Sequence, residues 1–136
     1  MPKLYIDTNV IIDMIENRNN LQGENLGIHA SKLFSDAINC KHHLIFSDWM
    51  LYKLKKHVIP QEIVMLFKFA ESKTEKVSFD SKDQDKAKLL SKDHPDDALH
   101  VVLAEKSNAE IITTSNTKHF NQIQTHIPIK KPKQLI

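Results

Sequence analysis

Cysteine is nearly absent. Cys40 stands alone among 136 residues, so no disulfide can form within the chain, which suits a reducing interior and makes the cytoplasm the expected compartment. No apolar run approaches membrane-spanning length, and the opening Met-Pro-Lys-Leu-Tyr-Ile reaches an acid at Asp7 without a signal-peptide core, so no membrane partner is expected. Excess charge is small too. The 19 Lys+Arg against 17 Asp+Glu leave a net +2, which excludes holding nucleic acid by bulk charge and confines any such contact to a local patch. Arg18 is the only arginine, and lysine, a flexible point charge, suits phosphate contact better than base reading. Gly23 and Gly27 are the only glycines and flank one polar stretch.

What is present is enough for one domain: 40% of the residues are hydrophobic, and a chain of this length can bury a single core, so 1–136 is read as one unit. Leu4 to Ile6 reads as a strand ending at Asp7-Thr8-Asn9, with a helix through Val10 to Ile15. A second helix carries Ile28, Leu33, Phe34, Ala37 and Ile38 at near-helical spacing. Leu44 to Phe46 is a second strand, and Ser47 caps a helix holding Met50, Leu51, Leu54 and Val58. Pro60 opens another helix, with Ile63, Val64, Leu66, Phe67 and Ala70 as its buried stripe, broken at Lys73-Thr74-Glu75. Val77 to Phe79 reads as a third strand, Ser81 to Leu90 as a lysine-rich helix, and Asp93 as the cap of an apolar helix entered through Pro95-Asp96-Asp97. Ile111 to Thr114 is a fourth strand, Ser115 to Phe120 a turn with a helical start, Ile127 to Ile129 an edge strand, and Lys130 to Lys133 a solvated tail. Strands alternating with helices predict a three-layer α/β/α sandwich around a mostly parallel sheet of four to five strands.

In such sheets ligands gather beyond the carboxyl ends of the strands, where the strand order reverses. Asp7 directly follows the first strand, beside the amides that open a helix. Capping that helix is its other natural role, but Thr8 and Asn9 can cap equally well, which frees the acid. Asp97 lies in the first turn of its helix, where the dipole favours an acid, and at the boundary of an apolar face, where a buried acid needs a partner. Asn116 follows the fourth strand in Thr114-Ser115-Asn116-Thr117, ordinary turn chemistry by itself. Together the three can converge on a hard cation. His42, His43, His57, His94, His100, His119 and His126 show no close metal-ligand spacing and read as surface or turn residues. Trp49, Tyr52, Phe67 and Phe69 read as core or dimer-interface residues. Lys53, Lys55 and Lys56, with Lys82, Lys86, Lys88 and Lys92, are either solvated helix faces or the flanks of an RNA groove.

Asp7-Thr8-Asn9-Val10-Ile11-Ile12-Asp13 resembles the opening motif of PIN domains, including VapC-type toxins. Pro95-Asp96-Asp97-Ala98-Leu99-His100 resembles the family's Asp-Ala-Leu segment, and Ile111 to Phe120 its strand, turn and terminal His-Phe. Together these motifs span nearly the whole chain. The resemblance implies a Mg2+- or Mn2+-dependent endoribonuclease with Asp7 and Asp97 as metal ligands and Asn116 in the fourth polar position. It implies that Thr8, Asn9 and Ser115 orient ligands, substrate or water, and that RNA, a second copy and a small antitoxin protein are the partners. One position departs from the family pattern: Leu51-Tyr52-Lys53-Leu54 puts Lys53 where the family carries Glu. Either Asp48 or Glu62 supplies that carboxylate through a shifted register, or the Lys53 ammonium neutralises phosphate in a one-metal site, or the domain binds without cutting. Asp7-Thr8-Asn9-Val10 also resembles the haloacid-dehalogenase nucleophile motif, with Asn9 where that phosphotransfer family needs a second acid.

Overall fold

The structure, a computed structural model, describes residues 2–70 and 74–136. Among the described residues the chain builds five strands: β1 (Lys3–Ile6), β2 (His43–Ser47), β3 (Thr74–Val77), β4 (Ile111–Thr113) and β5 (Ile129–Lys130). Every pairing is parallel and the order is β3-β2-β1-β4-β5, so the sheet is wholly rather than mostly parallel. Parallel neighbours need crossover connections, supplied by α1 (Thr8–Glu16) and α2 (Leu26–Ile38), then α3 (Asp48–Leu54) and α4 (Pro60–Ala70), then α5 (Ser81–Leu90) and α6 (Pro95–Lys106), with the short α7 (Thr117–Phe120) before β5.

Alternation along the strands sends Leu4, Ile6, Leu44 and Phe46 into one core with α1 to α3, and Tyr5, Ile45 and Ile112 into the other with α6. Side chains point to opposite faces with a period of two, so both faces are covered. The chain steps outward from β1 through β2 to β3, then crosses back to β4 on the other side of β1. The order therefore reverses between β1 and β4, which makes their carboxyl ends the switch-point crevice.

Several local expectations shift. The third strand begins at Thr74 and ends at Val77, earlier than Val77 to Phe79; the helix from Pro60 has ended before Thr74-Glu75, as expected, and Lys73 and the side chains of Leu66, Phe67, Phe69 and Ala70 lie outside the described residues. Ile28 and Val64 are exposed rather than buried. His94, not Asp93, occupies the N-cap of α6. Thr8 and Asn9 are the first residues of α1 rather than its cap. The lysines of the tail are exposed, as expected, but the segment is also packed: Lys130 pairs in β5, Pro132 is buried in a terminal 3-10 turn, and Lys133 reaches Glu24 at 3.1 Å. Ser47 caps α3 as expected, accepting from the Met50 amide. No helix among the described residues is long and apolar enough to cross a membrane.

Candidate active site

Asp7 follows β1 at the N-cap position of α1, yet its side chain makes no capping bond. Thr114, just past the neighbouring β4, donates its hydroxyl to Asp7 Oδ2 at 2.7 Å, and the Asp7 amide donates to the Thr113 carbonyl at 3.0 Å. The carboxylate is thus locked in place, 2% exposed, at the switch point. Burial pushes it above the ordinary carboxylate range, opposed first by the Thr114 hydrogen bond and then by the charge of Lys53. A buried acid without a tightly paired cation is a costly arrangement, and such groups concentrate at functional sites.

His100 Nε2, on α6, stands 3.3 Å from Asp7 Oδ1 without the alignment of a hydrogen bond. It does not supply the missing charge. Full burial, with the Lys53 charge adding to it, lowers the His100 pKa to about 3, so the ring is neutral near pH 7. Its Nδ1 lies 2.7 Å from the Tyr5 hydroxyl, which lies 2.7 Å from Ser47 Oγ. Burial keeps Tyr5 protonated, and Ser47 already accepts from the Met50 amide. One proton order uses every group: Ser47 donates to Tyr5, Tyr5 to Nδ1, and the His100 Nε2–H then faces Asp7.

A second run of contacts leads from the same hydroxyl to Asp97. The Asn116 amide N–H donates to Thr114 Oγ1 at 3.0 Å, its side-chain Nδ2 lies 3.0 Å from His119 Nδ1, and that Nδ1 is 3.3 Å from Asp97 Oδ2. Asp97 and His100 sit three residues apart on α6, on one face. The two acids, remote in sequence, are therefore joined on one edge of the sheet through Thr114, Asn116 and His119. His94, Asp97 and His119 bring their ligand atoms within 4.8 Å of one another. Lys53, in the last turn of α3, adds a positive charge felt by both Asp7 and His100.

The family model of the PIN domain matches residues 4–125. The chain belongs to the PIN domain family. Among solved structures, VapBC2 from Rickettsia felis bound to a DNA fragment from their promoter is similar, with a TM-score of 0.59, 18% identity and coverage of 95% of this chain and 98% of that one. VapBC-1 from nontypeable Haemophilus influenzae has a TM-score of 0.62 at 15% identity, covering 96% of this chain and 98% of that one. At these identities the likeness is one of fold. A comparison with curated protein sequences returns no match.

This PIN domain draws Asp7, Asp97 and Asn116 into one connected arrangement, with Lys53 beside it. Thr8 is buried and its hydroxyl has no hydrogen-bond partner, whereas Asn9 is half-buried in α1. Ser115 instead helps line a small cavity with Asp13, Glu24 and His29. A register shift to Asp48 has no support, because Asp48 Oδ1 accepts from the Phe79 amide at 3.0 Å; Glu62 lies in the first turn of α4. The histidines differ most from expectation. His100 is fully buried, and His94 and His119 form a cluster with Asp97. Trp49 is half-buried and packs against the core of α6, whereas Tyr52, stacked on it at 5.6 Å, is 53% exposed. Lys82 and Lys86 share a groove with Asp80, Asp83 and Glu105, a mixed rather than phosphate-seeking surface. Thr114 and His100 are site residues that the sequence marks only indirectly: Thr114 follows its strand as Asp7 follows its own, and His100 interrupts an apolar helix one turn after Asp97. The meeting of His94 with His119 carries no signal in local spacing.

Proposed function

We propose that this PIN domain is a divalent-metal-dependent endoribonuclease of the VapC type, hydrolysing RNA phosphodiester bonds at Asp7 and Asp97. The observation that carries the proposal is Asp7 itself: a buried carboxylate held at the switch point by Thr114, above its ordinary pKa and with no lysine or arginine among the described residues in salt-bridge contact. The donor set suits one hard ion, since the two carboxylates and the side-chain carbonyl of Asn116 offer oxygen ligands. With Lys53 and Asn116 where further acids would stand, we infer one ion rather than two. When bound, such an ion would neutralise charge on the scissile phosphate and make water nucleophilic near neutral pH.

The chain's own residues do the rest. Thr114 fixes the orientation of Asp7 while accepting from Asn116, so a single hydroxyl sets two groups. The Lys53 ammonium meets the charge that builds on the phosphate oxygens. His100, neutral and bonded to Tyr5, backs Asp7 without competing for its charge. Asp7→Asn and Asp97→Asn should each lower RNA cleavage by roughly a hundredfold or more while the fold survives. Full cleavage by either variant sinks the assignment.

One observation favours a rival, a PIN-like module that binds RNA or protein without cutting: the Lys53 charge already acts on Asp7 as an internal counter-ion. Wild type that neither cleaves RNA nor binds Mn2+, combined with cleavage gained in Lys53→Glu, would establish that reading. The phosphotransfer alternative falls with the family assignment. Because both similar structures are VapBC proteins, we infer a cytoplasmic toxin-like chain that forms homodimers and pairs with a small antitoxin protein.

A further inference from the structure

We propose that the corner between α6 and α7 is a binding site for a divalent transition ion of the Zn2+ class, held by His94, Asp97 and His119 with a position left open for water or a phosphate oxygen. The proposal rests on the role given above to Asp97 and adds two imidazoles to it. The three residues come from the residue before α6, the first turn of α6 and α7. Their ligand atoms already lie within 4.8 Å of one another. Around an ion with bonds of about 2.0–2.2 Å, ligand atoms stand about 3–4 Å apart, so small rotations of half-exposed rings close the site.

Three further contacts point the same way. His94 occupies the N-cap of α6 but makes no side-chain capping bond, so the ordinary role of that position does not hold its ring. His119 Nδ1 stands 3.0 Å from the Asn116 side-chain amide Nδ2 and 3.3 Å from Asp97 Oδ2, so a small turn of the ring away from Asn116 would aim its one lone pair at the side of Asp97. The His94 ring stacks on His119 at 4.2 Å, with planes 18° apart, which brings the second imidazole to the same spot; ligation would splay the stack.

The donor chemistry selects the ion. Two imidazoles and a carboxylate suit Zn2+, Co2+ or Ni2+, whereas Mg2+ prefers oxygen ligands and keeps its waters. Three protein ligands with one open position is also the pattern of hydrolytic zinc sites.

The test is a Co2+ titration of the chelator-treated full chain, followed by visible absorption. Wild type should show saturable d–d bands, displaced by Zn2+ but not by a large excess of Mg2+. Removing a direct ligand should weaken binding by roughly tenfold or more in His94→Ala and His119→Ala, and His126→Ala, at an exposed histidine outside the cluster, should bind as wild type does. His119→Gln, which preserves side-chain bulk, should lose binding likewise, with far-UV circular dichroism showing each variant folded. Absence of bands in wild type, unchanged binding in His94→Ala or His119→Ala, loss of binding in His126→Ala, or displacement by Mg2+ would overturn the site. RNA cleavage in Mg2+ by the same proteins separates the two proposals: cleavage without a Co2+ site removes this one alone, and a Co2+ site without cleavage removes only the nuclease.

Discussion

Asp7 shows how one residue can serve function against stability. Its carboxylate is buried, its pKa is raised by desolvation, and the nearest ring is neutral. Replacing it with Asn removes the buried charge while keeping the shape and the Thr114 contact. We expect Asp7→Asn, which should abolish cleavage, to raise the melting temperature of the metal-free protein, by about 4 °C for each kcal/mol regained. Differential scanning calorimetry in chelator would read it, and a lowered melting temperature would mean that Asp7 is a structural cap after all. Asp13, also buried, is the contrasting case: Arg18 contacts its Oδ1 at 2.9 Å through both Nε and Nη2, so the chain's single arginine is committed to the fold rather than to a ligand.

At the scale of elements, α1 and α2 approach closely at one point. A Cβ built on Gly27 would meet Asn17 Oδ1 at 2.7 Å, the Asp13 carbonyl oxygen at 2.7 Å and Asn17 Cα at 2.8 Å. Two of these are backbone atoms that cannot swing aside, so the helices would have to separate. Gly27→Ala should therefore destabilise the protein by about 1–3 kcal/mol, read as a lower urea midpoint with an unchanged slope. Stability equal to wild type would mean that this contact is looser than it stands here. The same approach carries the Arg18 loop, whose carbonyl accepts from the Leu26 amide at 2.8 Å, so the loop and the helix packing should weaken together.

For the whole molecule, pH stability is shaped by His100 and Asp7 with opposite signs. The His100 pKa is about 3 when folded against 6.5 as an ordinary histidine, so between these values the unfolded chain takes up a proton that the native state refuses. Its contribution to stability is therefore lost as pH falls from about 6.5 towards 3. Asp7 is raised instead, so the native state holds that proton more readily, and its contribution is lost as pH rises above the ordinary carboxylate value. Above the ordinary carboxylate value Asp7 in the unfolded chain is ionised, so its effect opposes that of His100 there, and the histidine contribution is read as the difference from a variant without the imidazole. On going from pH 7 to pH 5 the melting temperature of wild type should fall further, or rise less, than that of His100→Asn; equal changes would remove His100 as a cause.

Periodicity and the order of strands and helices were enough to determine the layered parallel sheet, because side chains must bury one stripe of each helix and both faces of a central parallel strand. Position after β1 likewise marked Asp7, and the family motifs marked Asp97 and Asn116. Strand ends and caps were less legible: β3 starts early and His94 takes the place expected of Asp93, since tertiary pairing rather than local preference sets such boundaries. What only the tertiary structure decided was company. Thr114 reaches Asp7 across 107 positions of sequence, Tyr5 meets His100 across 95, and His119 comes to Asp97 from the far side of β4. Such contacts depend on which strands become neighbours when the chain crosses back over β1, and no local pattern of residues encodes that distance.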